Sequence, residues 1–353
     1  MMSGYTKIND DSLNDFVRTL AGKLKVKSSM IMPFVDYQEA ITGFLNYIGR
    51  ESDRLIVAGH ASPEIEIAAD RAGMGVDEAL GFSPFVGHAD DVLEKVSANT
   101  DTVYLANPNT VTGSNFSLKD IDRIAERIAN GKLIIDEKYY DFYGISGLSL
   151  LEKHQHIVIL RSLTAGFGLD SDTSGFIVGS QGLISGFTDV FRGDGISKTL
   201  YRILSTTMAS EDARTQRLTS IHDESLRIAN KLTEMGVQNR ITAADFLLLR
   251  VADPARVGNF LAKYSITLTN LDGYPELKNY MRYRVQSPLS NDNLLDGFRR
   301  MPKDYYHIKK IDKRAVLLRR PASDTAEPTT KEIDGIDETT VVDRARIDEL
   351  ADA

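Results

Sequence analysis

The chain has 353 residues, 42% of them hydrophobic and 26% charged, enough to bury a large core without covalent staples. It contains no cysteine, which excludes disulfides, thiolate metal ligands and a cysteine nucleophile, and no tryptophan. The net charge of −8 is a poor footing for nucleic-acid binding, and no apolar run is long enough to span a membrane.

Residues 1–35 read as an N-terminal arm. Its first residues are polar and lack the apolar stretch of a secretion signal, so a cytoplasmic location is expected. Apolar residues at helical spacing follow over 36–48. Arg54–Ala58 (RLIVA) is a short buried-strand run, and residues 63–72 form a helix with Ser62 as N-cap and Pro63 in its first turn. Thr102–Ala106 (TVYLA) reads as a strand. Residues 117–130 form an amphipathic helix with Ser117 as N-cap, and residues 132–136 (KLIID) a strand ending in an acid. Residues 156–161 and Gly175–Gly179 are two further strands. This alternation predicts an α/β fold, a mostly parallel sheet sandwiched by helices over residues 36–210. Ligands on such sheets bind at the carboxyl ends of the strands, where Asp136, Ser162 and Thr164 fall.

Beyond residue 197 long helices run to about residue 236. A strand at 244–251, a helix at 254–263, strands at 266–268 and 280–286 and a helix at 291–300 follow, so residues 211–301 form a linking helix and a smaller α+β C-terminal domain. Residues 302–320 are basic: Lys303, Lys309, Lys310, Lys313, Arg314, Arg319 and Arg320 are interleaved with Tyr305, Tyr306 and His307. An added edge strand at 315–318 with solvated flanks explains them better than a nucleic-acid patch. Residues 321–353 hold ten acids and three bases and little apolar content, so this tail is expected to be disordered.

Several ordered segments resemble the class I/II aminotransferases of pyridoxal-phosphate (PLP) fold type I, nearest their histidinol-phosphate aminotransferase branch. Residues 107–113 (NPNTVTG) look like that family's NPNNPTG turn, 136–142 (DEKYYDF) like its DEAYxEF strand end, and 161–169 (RSLTAGFGL) like its lysine loop. Residues 271–282 and 285–291 look like the start of its small-domain hairpin and the turn after it. The set is specific for a fold; each motif alone is weak. The resemblance implies that Asp136 pairs with the pyridinium nitrogen, Tyr139 lies near the pyridine oxygen, Ser162 contacts phosphate and Arg282 binds the substrate carboxylate. Each of the four also has an ordinary structural use.

The chain departs from the pattern at chemically decisive places. Ala165 stands where the resemblance puts the Schiff-base lysine, between Thr164 and Gly166; Thr173 stands for the phosphate-binding arginine, Thr110 for an asparagine and Ser62 for the stacking aromatic. The glycine-rich phosphate turn, with its strand and helix, is expected to be deleted between the helix at 36–48 and Arg54, where only Gly49–Asp53 (GRESD) remains. Lys138 replaces a small alanine. If it continues the strand it shares a face with Asp136 and ion-pairs with it in the space PLP would need. It is alternatively a replacement Schiff-base lysine, or a side chain reaching to solvent.

These departures favour a non-transaminating pseudoenzyme, a binding, regulatory or partner subunit with a remnant pocket at Asp136, Tyr139, Ser162, Thr110, Thr164, Ala165 and Thr173, no cofactor expected, and Arg282 placed for a small carboxylate or amino-acid-like ligand. The alternatives are a PLP-independent enzyme using Lys138, Asp136, Tyr139, His60 and Arg282, or a PLP-dependent transaminase using Lys138. The resemblance implies a homodimer, or else a heteromer with a catalytic partner. His154 and His156 lack further ligands at metal-binding spacing, so no metal is expected.

Overall fold

A computed structural model describes residues 10–49, 53–98, 101–168, 174–191 and 210–308. Helix α1 (Asp10–Leu24) leads to β1 (Ile31–Phe34) and α2 (Tyr37–Ile48), followed by β2 (Arg54–Ala58), α3 (Pro63–Arg71), β3 (Gly75–Ala79) and α4 (Ala89–Lys95). Next come β4 (Thr102–Ala106), α5 (Leu118–Arg127), β5 (Lys132–Glu137), the single turn α6 (Tyr140–Tyr143), β6 (Ile157–Ser162), β7 (Gly175–Gly179) and α7 (Gln181–Val190). These strands form one seven-stranded sheet in the order β1-β7-β6-β5-β4-β2-β3, in which β3, β2, β4, β5 and β6 pair in parallel. β7 is antiparallel to β6 and β1 antiparallel to β7.

Alternation along the strands sends side chains to two cores. Ile56, Val103, Leu133 and Ile157 pack under Phe16 and Leu20 of α1, Val92 of α4 and Ile121 and Ile124 of α5. Leu55, Val57, Tyr104, Ile134 and Val158 pack against Phe44 and Leu45 of α2, Ile65 of α3 and Phe187 of α7. Covering both faces is what a parallel sheet requires, and it explains why its strands read as continuous apolar runs. Ser117 caps α5 as its position suggests, its side chain accepting from the Asp120 amide. Ser62 precedes α3 without making such a bond.

The second sheet is antiparallel, in the order β10-β11-β9-β8. Its strands are β8 (Gln238–Ile241), β9 (Phe246–Arg250), β10 (Thr269–Asn270) and β11 (Tyr280–Arg284). Around them lie the long α8 (Glu211–Glu234), α9 (Pro254–Ala262), α10 (Pro288–Arg300) and the short α11 (Lys303–Tyr306). Leu247, Leu249, Tyr283, Ile228, Leu261 and Phe298 are among the residues filling that core. The architecture is thus a large mixed sheet flanked by helices with a smaller α+β C-terminal sheet, the expected class.

Three points need correction. The strand expected at 266–268 is absent: Ile266 is buried by packing, and pairing starts at Thr269. β3 escapes notice because GVDEA is a polar edge strand with no apolar run. The stretch 1–35 is not only an arm, since β1 is an edge strand of the main sheet, where Pro33 is tolerated. Within the basic segment, Tyr306 is buried against Phe298, their rings 5.6 Å apart. The rest of that segment from residue 309, the acidic tail at 321–353, and Thr173 lie outside the described residues.

Candidate active site at the carboxyl edge of the large sheet

Asp136 is the penultimate residue of β5, paired with Ala106 of β4 and Leu160 of β6, and only 2% exposed. A carboxylate that deep is costly unless donors surround it. The Tyr37 hydroxyl donates to Oδ1 at 2.5 Å, the Lys138 backbone N–H donates to the same oxygen at 2.9 Å, and the Tyr104 hydroxyl donates to Oδ2. Burial, and then the Asp136 charge, push both tyrosine hydroxyls well above their ordinary range, so both stay protonated donors.

Each donor has a local origin. Tyr37 is the first residue of α2, whose N-cap Asp36 accepts from the Glu39 amide at 2.7 Å. Tyr104 sits opposite Ile134, two residues before Asp136 on the same face of the neighbouring strand. The entry to α2, Val35-Asp36-Tyr37, delivers a phenol to the aspartate. These two tyrosines were missed in the sequence. Tyr104 was accessible from strand alternation, whereas Tyr37 required knowing that α2 follows a strand of the same sheet.

Lys138 does not form the ion pair expected with Asp136. β5 ends at Glu137, so the rule that residues two apart share a face no longer applies. The chain folds back to give its N–H to Asp136, and the Lys138 ammonium lies over the Tyr37 ring, 5.4 Å from its centre. Asp136, Tyr37 and the amine of Lys138 are therefore neighbours.

Ser162, Thr164 and Ala165 are also brought together. The Ser162 hydroxyl accepts from the amides of Thr164 and Ala165 at 3.1 and 3.0 Å, and lies 3.2 Å from the Thr164 hydroxyl. Ala165 opens a short turn ending at Phe167, and the next turn residue, Gly166, presses on Asp141, which is held by Arg214 at 2.8 Å. Burial raises the Asp141 carboxyl above its usual range, against the opposing pull of Arg214. Next to it, Glu137 is fully buried and raised by burial; Arg161 bonds it at 2.7 Å and the Gly147 amide at 2.7 Å.

Arg282 and Thr110 meet across the two sheets: the guanidinium donates to the Thr110 carbonyl at 2.7 Å and covers the Phe246 ring at 5.2 Å. Tyr139 lies 6.0 Å from the same Phe246 ring, and burial followed by the Asp245 charge raises its hydroxyl far above the ordinary value. His60 and Ser62 follow β2 and are buried at the same edge of the sheet. Among the described residues no cluster of three or more His, Asp or Glu is arranged to hold a metal ion. No helix among them is long and apolar enough to cross a membrane.

Three comparisons bear on this site. The chain matches the family described as "Aminotransferase class I and II" over residues 3–293. A histidinol-phosphate aminotransferase of Chlorobium luteolum is 31% identical over 219 residues, which is 60% of this chain and 60% of that protein. The chain thus aligns with about 60% of the length of the curated relatives it matches. The fold superposes on the crystal structure of the histidinol-phosphate aminotransferase from Clostridium acetobutylicum with a TM-score of 0.72 at 16% identity, covering 83% of this chain and 90% of that one. It superposes equally, at 0.72 and 18% identity with 83% of each chain covered, on that from Sinorhizobium meliloti in complex with pyridoxal-5'-phosphate.

These matches overturn the expectation of a non-transaminating pseudoenzyme without cofactor. That expectation weighed single substitutions and a deleted phosphate turn. The sequence relatives are consistently named as aminotransferases, and one structural relative holds PLP.

Proposed function

Because the chain belongs to the class I and II aminotransferases, we propose that it is a PLP-dependent aminotransferase whose anchoring amine is Lys138, with Ala165 at the family's lysine position. The observation that carries this reading is the adjacency of the Lys138 ammonium, Tyr37 and the buried Asp136 at the carboxyl end of β5.

The donor set fits the cofactor at its aspartate. Among the described residues Oδ2 of Asp136 accepts only the Tyr104 hydroxyl, so a lone pair is left for a protonated ring nitrogen. When bound, PLP supplies an electron sink for the carbon that bears the substrate amino group. Asp136 would hold the ring nitrogen protonated, and Tyr37 and Tyr104 would hold Asp136 in place. Tyr139 would face the ring's oxygen side. Ser162 and Thr164 would present hydroxyls to the phosphate. The Lys138 amine would be the covalent anchor and, once released, the base that moves a proton. Arg282 would take the carboxylate of an amino-acid-like donor, since its planar fork matches that group.

The test is amino-group transfer by the full chain with added PLP, from a panel of amino acids and phosphorylated amino alcohols to a 2-oxo acid. The proposal expects transfer by the wild type and none by Lys138→Ala. Transfer that survives in Lys138→Ala, or none by the wild type, overturns it.

A further inference from the structure

One face of the small sheet carries arginines on three of its strands. Arg240 of β8 pairs opposite Leu248 of β9, and Leu248 pairs opposite Arg282 of β11, so these three side chains leave on the same side. Arg250 pairs opposite Tyr280 and Arg284 opposite Phe246, on that side too. Two of the four cations are committed. Arg284 bonds Asp245 at 2.6 Å, and Arg282 donates to the Thr110 carbonyl.

Arg240 and Arg250 are exposed, and among the described residues neither guanidinium makes a hydrogen bond or an ion pair. Each lies against an aromatic ring instead. The Arg240 guanidinium is 4.7 Å from the centre of Phe85, Phe85 is 5.3 Å from Tyr280, and the Arg250 guanidinium is 5.7 Å from Tyr280. Two rings are thus bracketed by two cations. A ring contact steadies a guanidinium while leaving N–H donors free for carboxylates, and an arginine stays charged at any working pH.

The chain itself carries the matching charge. Residues 321–353 hold ten acids and three bases. The last described residues come up to this sheet: a β-carbon at Gly236 would stand 3.6 Å from Nδ1 of His307, just after α11. Gly236 lies two residues before β8, and Arg240 is the third residue of that strand. From Gly236 to Arg240 is about 13 Å of extended chain, and residues 309–320 can span up to about 40 Å. A tether of that length holds the acidic segment at an effective concentration of about millimolar, where weak exposed ion pairs suffice.

We propose that the acidic segment 321–353 docks in cis on this face, its carboxylates pairing with Arg240 and Arg250. Nothing in this inference depends on Lys138 or on PLP.

The experiment compares the full chain with a full-length variant in which every Asp and Glu of residues 321–353 is replaced by its amide. Both are treated with the arginine reagent p-hydroxyphenylglyoxal, and the adducts are mapped by mass. At about 20 mM NaCl, Arg240 and Arg250 should react at least about twofold more slowly in the wild type, and the difference should vanish at about 0.5 M NaCl. Arg123 of α5 should react alike in both proteins. In the converse arm, Arg240→Gln and Arg250→Gln are combined in the full chain. Glutamyl endopeptidase should then cut after Glu332 and Glu338 faster than in the wild type at low salt. Both arginines are exposed, so the melting temperature should hold; if this variant does not fold, the reagent arm alone decides. Equal reactivity of Arg240 and Arg250 in the two proteins, or unchanged cleavage in the folded double variant, overturns the proposal. Pairing of the acids with the basic stretch 309–320 instead would give that result. Protection that rises with protein concentration would assign the face to another copy of the chain, and would overturn docking in cis.

Discussion

The Tyr37 hydroxyl donates to Asp136 at 2.5 Å across 99 residues of sequence, joining the first turn of α2 to the end of β5. This bond does two things. It solvates a carboxylate that is 2% exposed, and it puts an aromatic face beneath the ammonium of Lys138. Removing the hydroxyl alone separates the two roles. Tyr37→Phe keeps the ring and should destabilise the fold by about 1–3 kcal/mol, the cost of leaving a buried acceptor short of a donor. Chemical denaturation reads this directly, and a loss below about 0.5 kcal/mol would contradict the account of Asp136 solvation.

Tyr104→Phe tests the other oxygen. It should cost a similar amount, and the double variant should cost more or less than the sum of the two, because both hydroxyls serve one carboxylate. Strict additivity in a double-mutant cycle would mean that the two bonds act independently.

Arg282→Ala should raise KM for a carboxylate-bearing amino donor much more than it lowers kcat, because a carboxylate fork contributes binding in ground and transition states alike. Arg282→Lys should restore only part of the loss, since an ammonium cannot reproduce the fork. Steady-state kinetics with donors that carry or lack the carboxylate separate this from damage to the Thr110 contact.

Gly175→Ala should destabilise by about 1–3 kcal/mol, the range for overpacking. A β-carbon there would stand 2.2 Å from the Arg161 carbonyl and 2.5 Å from the Phe34 ring, so the backbone pairing of β6, β7 and β1 must spread. Melting temperature is the readout.

Glu78 gives the pH dependence a sign. Burial alone would raise its carboxyl, but the His60 imidazole 3.9 Å away and the bond from the Ala61 amide hold it below the usual value. A depressed folded pKa contributes stability that is present above the unfolded value, about 4.3, and is lost as pH falls through the folded value. Glu78→Gln should therefore flatten the acid limb of a stability profile measured from about pH 5 downward. An unchanged limb would show that this carboxylate is not linked to folding.

The fold was legible because local periodicity and strand composition agree with the packing: RLIVA, TVYLA and GFIVG became β2, β4 and β7 at their predicted bounds. β3 was hidden because its one solvated edge removes the apolar run that identifies its neighbours. The candidate site was legible in part, at Asp136, Ser162 and Thr164, which fall at or just past strand ends. Asp136 could be found because it ends a strand, but its partners come from α2 and β4, brought near only by sheet order. The direction of Lys138 depended on where β5 stops, one residue before it, and no residue pattern marks that end. Position 107–113 illustrates the opposite case. Asn109 accepts from the Val111 and Thr112 amides, a closed local turn that its sequence already suggests.

The most direct test of the central claim is covalent. The full chain is incubated with PLP, reduced with borohydride, digested and mapped by mass. The account predicts one pyridoxyl adduct, on the peptide carrying Lys138, lost in Lys138→Ala and weakened in Asp136→Asn. An adduct confined to another lysine, or none at saturating PLP, would contradict it.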